Sequence, residues 1–251
     1  MDRISVAILA KDEAEHLRQL LPMLDWAQEV IVVVDARSRD ATAQIARQHG
    51  CRVQVRQLEA YSAQRNAALE LAQGEWIFWL DADERPTAGL LEELRRRLPE
   101  TGAHGFRVPI WSWIFGRRLR WSGLQDDRPV RLVRRGCGRW EGAVHERLRV
   151  HGRVETLEHG LLHWSTPDLD AYLAKMHWYS QLEARRRVEL GQPPDPLDAW
   201  VGPIREILRR LCWKGGFLDG PAGWAFCLLS GLNVWVAACQ HRRLWQEKTR
   251  T

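Results

Sequence analysis

Asp81-Ala82-Asp83-Glu84 follows directly on the apolar run Glu75-Trp76-Ile77-Phe78-Trp79-Leu80. Two aspartates one residue apart are hard oxygen donors that can share a divalent cation with a phosphate-bearing ligand. The run before them is short, aromatic and β-branched, opened by Gly74 and closed by Pro86, and it reads as a buried strand. Carboxylates at the carboxyl end of a strand in an α/β sheet lie where such sheets hold ligands, so the pattern suggests a metal-nucleotide site. By residue type alone the stretch also reads as a solvated acidic turn capping a helix that starts near Thr87. Glu84 then reads as the helix-start residue, with the chemistry resting on the two aspartates.

The elements that must position these residues alternate. Strand-like segments at Ile4 to Leu9, Val30 to Val34, Cys51 to Val55 and Trp76 to Leu80 are separated by helix-like ones at Glu13 to Leu24, Asp40 to Gln48 and Ser62 to Ala72, and another follows at Thr87 to Leu98. Such alternation means crossover units and a mainly parallel sheet with helices on both faces. Three more polar segments then fall at strand ends or helix starts: Lys11-Asp12-Glu13, Asp35 to Asp40, and Gln64-Arg65-Asn66. Taken singly, Asp12 and Asp40 are plausible helix caps and Arg65 or Asn66 ordinary surface residues. From His104 to Leu162 the chain changes to short Arg- and Trp-rich segments broken by Gly, as expected for antiparallel strands completing a mixed sheet.

Hydrophobic content of 45% and charged content of 27% over 251 residues are those of a globular chain, which argues against wholesale disorder. A net charge of +5 and 14 tryptophans fit an anionic membrane surface or phosphate-rich ligands. The five cysteines show no paired metal spacing and are odd in number, which points to a reducing compartment. Met1-Asp2-Arg3-Ile4 runs directly into a strand without the basic and apolar regions of a signal peptide, so the cytoplasm is the expected location.

Together the motifs resemble the family 2 glycosyltransferases of GT-A fold, and within them the bacterial lipopolysaccharide-core β-glucosyltransferase group. The pieces that carry the resemblance are Ile8 to Glu13, Val34-Asp35 through Asp40, Gln64 to Leu69, Gly74 through Arg85, Arg131 to Arg135, Trp140 to Glu146 and Gly216 to Gly220. It implies an α/β fold, a Rossmann-like mixed sheet with helices on both faces, spanning residues 1–165, and a helical, membrane-associating extension over 166–251. It implies too an inverting transfer of a hexose, glucose first, from a nucleotide diphosphate donor such as UDP-glucose. The acceptor would be a lipopolysaccharide core or another anionic, lipid-linked saccharide.

Carried over residue by residue, the resemblance makes Asp81 and Asp83 the DxD motif. Asp83 would bind Mg²⁺ or Mn²⁺, with His145 a metal ligand or orienting neighbour, and Asp35 would contact the nucleobase or ribose. Lys11, Asp12, Glu13, Gln64, Arg65, Asn66 and Arg131 complete the implied donor-binding set. Glu146 is the expected base, with Asp126 and Asp127 competing for the role. Asp12 stands where the family has asparagine, and Arg37 and Arg39 stand in a loop where small residues are common.

Arginines at 117, 118, 120, 128, 131, 134, 135 and 139 form either a solvated basic face or phosphate contacts, and the interleaved Trp111, Trp113 and Trp121 either stack on sugars or fill a core. Past His163 the chain turns helical, with apolar spacing from Leu169 to Val188, a Pro-rich break at 191–196, a basic helix at Ile204 to Lys214 and an uncharged stretch from Pro221 to Gln240. The last two are expected to form an amphipathic or shallowly inserted helix pair at the cytoplasmic face of the bacterial inner membrane, against the plainer reading of a soluble helical hairpin. A nucleic-acid-binding protein would use the Arg and Trp patches but leaves the strand-end carboxylates unexplained, so no nucleic-acid partner is expected.

Overall fold

The computed structural model describes residues 3–57, 61–142, 147–195 and 197–250. The chain divides into two compact units, one of Met1–Ile110 with Arg128–His163 and one of Trp111–Asp127 with Trp164–Thr251. Residues 111–127 therefore group with the C-terminal helices, whereas the motif pattern alone would put them in the first domain.

In the first unit the strands and helices alternate as β1 (Ile4–Ala10), α1 (Ala14–Leu20), β2 (Glu29–Asp35), α2 (Thr42–Gln48), β3 (Arg52–Arg56), α3 (Tyr61–Leu71) and β4 (Trp76–Asp81). A short β5 (Glu84–Pro86), α4 (Ala88–Arg97) and β6 (Gly105–Arg107) follow. β1, β2, β3 and β4 are parallel, ordered β4-β1-β2-β3. Their central strands are apolar at consecutive positions because both faces are covered. Val6, Ile8, Val32, Val34, Phe78 and Leu80 face Leu17, Leu20, Ile45, Leu90 and Leu94, while Ala7, Ile31, Val33, Ile77 and Trp79 face Ala68 of α3 and Ala72 just after it.

Next in the chain come β7 (Ile110–Ile114) and β8 (Arg117–Arg118), after which β9 (Val130–Arg134), β10 (Gly138–Glu141), β11 (Arg147–Val150), β12 (Val154–Thr156) and β13 (Leu161–Thr166) complete the strands. β9 is antiparallel to β4 and β6, giving the seven-stranded order β12-β6-β9-β4-β1-β2-β3. Pairing of Leu132 with Phe78 carries Arg131 toward the carboxyl end of β4. β13 pairs antiparallel with β5, setting His163 opposite Glu84.

The second unit contains the β7–β8 hairpin and the helices α5 (Leu169–Glu189), α6 (Asp198–Leu208) and α7 (Gly220–Arg250). Phe115 and Gly116, at φ 54° and 71°, form the two-residue turn of the hairpin, the positive φ at both centres matching the twist of the strands. The basic helix starts at Asp198, earlier than its charge pattern suggests, carries Pro203 within it, and ends in a π-helical turn at Arg209–Trp213. Small residues set its approach to α7: a Cβ on Gly231 would lie 2.5 Å from Ile207, and one on Gly202 would lie 3.0 Å from Val234. Among the described residues one helix, Gly216–Thr249 with mean hydropathy 1.5 in its apolar window, is long and apolar enough to cross a membrane, by length and composition only.

Candidate functional site

Asp81 closes β4, and its carboxylate meets two arginines brought in from distant elements. Arg131 Nη2 donates to Asp81 Oδ2 at 2.8 Å and to Glu84 Oε1 at 2.6 Å, and Arg65 Nη2 stands 3.8 Å from Asp81 Oδ1. Arg65 packs against two aromatic rings, its guanidinium carbon 4.4 Å from the Trp140 centroid and 5.5 Å from that of Trp79. Burial works to raise the Asp81 pKa, but the charges of Arg131 and Arg65 outweigh it and hold the carboxyl low.

Glu84 corrects its sequence reading. It is fully buried in β5, its Oε2 accepts the Asp81 backbone N–H at 2.9 Å, and the helix start belongs to Thr87, whose hydroxyl accepts from the Leu90 N–H. Burial first, and then the Asp81 charge, push the Glu84 carboxyl up to about 7, against the pull of Arg131. Arg85 braces the turn from beneath: its guanidinium donates to the carbonyls of Ala82 at 2.7 Å, Glu84 at 2.8 Å and His16 at 3.1 Å. An Ala82 carbonyl held in this way fixes the path of the chain between the two aspartates.

The Oδ2 of Asp83 lies 3.1 Å from Nε2 of His163. A carboxylate oxygen and an imidazole nitrogen at that separation match the edge of an octahedron with bonds of about 2.1 Å, so the pair fits two sites on a Mg²⁺- or Mn²⁺-sized cation. Among the described residues no group of three or more His, Cys, Asp or Glu side chains converges. Phosphate oxygens and water commonly fill the rest of such a shell. His163 escaped the sequence reading because its only local signal is a histidine in an apolar strand, and the β5–β13 register alone sets it opposite the acidic turn. His145 and Glu146 lie outside the described residues.

The loops after β1 and β2 are tied to each other. Asp40 accepts from the backbone N–H of Ala14 at 2.9 Å and of Thr42 at 2.9 Å, so one carboxylate serves the starts of both α1 and α2. Asp12, at φ 56°, accepts from Arg39 N at 2.6 Å and donates its own N–H to Ser38 Oγ at 3.1 Å. The Glu13 backbone donates to Thr42 at 2.8 Å while its carboxylate faces His16, and burial raises its pKa. Asp35 is 1% exposed and is gripped by Arg37 through Nε at 3.1 Å and Nη2 at 2.9 Å, with the Arg37 backbone N–H adding a bond of 3.0 Å. The Arg37 hydrogen bonds, against the effect of burial, hold Asp35 below the usual carboxylate range, with Lys11 adding a favourable charge.

The remaining expected residues fall in different places. Asn66 pairs both its amide atoms with the Trp140 backbone, each at 2.9 Å, which fastens α3 to β10. Gln64 is 3% exposed and its Nε2 is buried without a hydrogen-bond partner among the described residues. Asp127 is exposed in the second unit, after a 3₁₀ turn whose Asp126 pairs with Lys214 Nζ at 2.8 Å.

The fold is of GT-A type: it matches the mannosyltransferase PcManGT of Pyrobaculum calidifontis, solved with GDP-Man and Mn²⁺, at a TM-score of 0.56 and 15% identity, covering 97% of this chain and 87% of that one. The sequence model of glycosyl transferase family 2 matches residues 5–146, and the chain belongs to that family. Among its relatives is the lipopolysaccharide core biosynthesis glycosyltransferase LpsC of Rhizobium meliloti, 29% identical with 92% of each chain covered. An uncharacterized glycosyltransferase of Rickettsia felis is 33% identical over 76% of this chain and 72% of its own.

Proposed function

We propose that the protein is a metal-dependent, inverting hexosyltransferase that moves a sugar, glucose first, from a UDP-type donor to a hydroxyl of a lipopolysaccharide core or a similar anionic, lipid-linked saccharide. The observation that carries this reading is the Asp83–His163 pair just past the carboxyl end of β4, beside the arginine-held Asp81 and Glu84. Asp83 and His163 would hold Mg²⁺ or Mn²⁺ against the donor diphosphate, where the cation supplies Lewis-acid stabilisation of the departing nucleoside diphosphate. Arg65 and Arg131 keep Asp81 ionised and in place beside that position. Asp35 reads the base or ribose through the acceptor capacity that Arg37 leaves to it, with Lys11, Asp12, Glu13 and Gln64 around the same ligand.

An inverting transfer needs a base for the acceptor proton on the face opposite the leaving group. Glu146 is our assignment, with Asp127 the competing one. The relation to LpsC supports the lipopolysaccharide setting, and the exposed aromatic side chains of the C-terminal helices support work at the cytoplasmic face of the inner membrane. Asp83→Asn tests the reading. Transfer and donor hydrolysis with Mn²⁺ and UDP-glucose are expected to fall a hundredfold or more at unchanged melting temperature; full activity in that variant, once a donor is found, overturns it.

A further inference from the structure

The second unit contains a cavity of about 640 Å³ whose wall includes Trp113, Arg117, Arg118, Arg120, Leu218 and Gly220. None of these three arginines has a carboxylate partner among the described residues. Arg118 is set in place by packing, its guanidinium carbon 4.1 Å over the Trp111 ring, and its Nε is buried without a hydrogen-bond partner. Burial, and then the Arg120 charge, lower the Arg118 pKa, the sign expected where cations crowd one another. The one acidic wall residue, Asp219, has its carboxylate committed to the backbone N–H groups of Arg120 and Trp121, both at 2.9 Å. Gly220 begins the 31-residue α7, so the positive end of a long helix faces the same space.

Position along the chain adds a second property. Leu218 of the wall is exposed, as are its neighbours Phe217 and Trp213 and, one turn into α7, Trp224. Trp213 is 84% exposed, an unusual state for the largest side chain and one suited to the headgroup level of a bilayer. A free anion would need only the arginines and would leave these exposed apolar side chains without a role.

We propose that this cavity binds the phosphate group of an amphiphile, whose apolar part lies against Trp213, Phe217, Leu218 and Trp224. Planar guanidinium forks match phosphate oxygens in pairs, and a fixed Arg118 loses little freedom on binding. The phosphate can belong to a phospholipid headgroup or to a phosphorylated saccharide on a lipid anchor. Binding is read without donor or transfer, so the proposal stands or falls apart from the transferase reading.

The test uses the full chain and sedimentation with vesicles of phosphatidylcholine alone or with phosphatidylglycerol. Arg117→Gln/Arg120→Gln should weaken binding to the anionic vesicles by roughly tenfold to thirtyfold, the loss expected for two interfacial charges. Binding to phosphatidylcholine alone should stay unchanged, and Arg117→Lys/Arg120→Lys should recover much of the loss. The exposed pair Arg95→Gln/Arg96→Gln removes the same charge from α4 and should have no such effect. Glucose 6-phosphate in the millimolar range identifies the source: displacement of the protein from anionic vesicles assigns a sugar phosphate, and no displacement assigns the headgroup. An anionic-vesicle affinity equal in wild type and Gln double variant overturns the site, as does an equal loss in the α4 control. Binding of a single-stranded oligonucleotide with the same dependence on Arg117 and Arg120 also overturns it.

Discussion

The arginines of the first unit's sheet and those of the β7–β8 hairpin region behave differently, although other arginines of the second unit, such as Arg187 and Arg209, are also paired with carboxylates. In the first unit Arg131, Arg65, Arg37, Arg97 and Arg134 each meet a carboxylate, most of them from an element far away in the chain. In the second, Arg117, Arg118 and Arg120 stand around a cavity with no carboxylate partner among the described residues. Where Arg131 and Arg65 meet Asp81, their charge supports the fold by keeping ionised a carboxyl that burial works to neutralise. An unpaired cluster does nothing for the fold that neutral side chains could not do. Its charges are available to a ligand.

Substitution at Arg131 is the strongest way to break this contrast. Arg131→Met would leave the buried Glu84 without its partner and Asp81 with only the more distant Arg65, and a loss of about 3–5 kcal/mol is expected in urea unfolding. A loss no larger than that of a surface substitution would remove the distinction between the two groups of arginines.

The pH profile gives the next effect. Glu84 is raised to about 7 in the folded chain, so between the usual carboxylate range and pH 7 the folded state binds more protons than the unfolded one. Stability therefore falls as pH rises through that window, by an amount on the order of a few kcal/mol. Glu84→Gln should flatten that part of the profile. Asp81 has the opposite sign: its low pKa contributes stability above the usual carboxylate range that is lost as the solution becomes more acidic.

Arg37 sharpens the comparison because it is paired but more than half exposed, with a side-chain exposure of 55%. Its grip takes up most of the lone-pair positions on Asp35. Arg37→Ser should free them and tighten UDP binding severalfold in calorimetry, at a stability cost of about 1–3 kcal/mol because Asp35 is buried; weaker or unchanged UDP binding would mean that Arg37 itself serves the nucleotide. The smallest effect belongs to the unpaired group. Arg117→Gln should change stability by no more than about 0.5 kcal/mol.

Much of the first unit was legible before any coordinates. Apolar runs at Ile4, Val30 and Trp76 reappear as the central strands within a residue or two of their expected ends, since a strand buried on both faces must be apolar at every position. The places of Asp35 and Asp81 at strand ends were legible too, because each closes such an apolar run. Glu84 was misread because an acidic residue ahead of a helix resembles a cap, and only its distant partner Arg131 shows why a carboxylate is buried there. The start of α6 was hidden by Pro203, which reads locally as a helix breaker yet sits inside the helix where α7 packs closely through Gly231.

By itself the sequence determined the order of strands and helices, the acidic turn after β4 and the family to which these belong, because periodicity and strand-end chemistry are local properties of the chain. Only the tertiary structure decided that His163 stands at Asp83, that Arg131 is shared by Asp81 and Glu84, and that the hairpin arginines surround a cavity. His163 is 80 residues from Asp83 in the chain and Arg131 is 50 from Asp81. Contacts at such separations depend on strand register and sheet order, which no short window of sequence records.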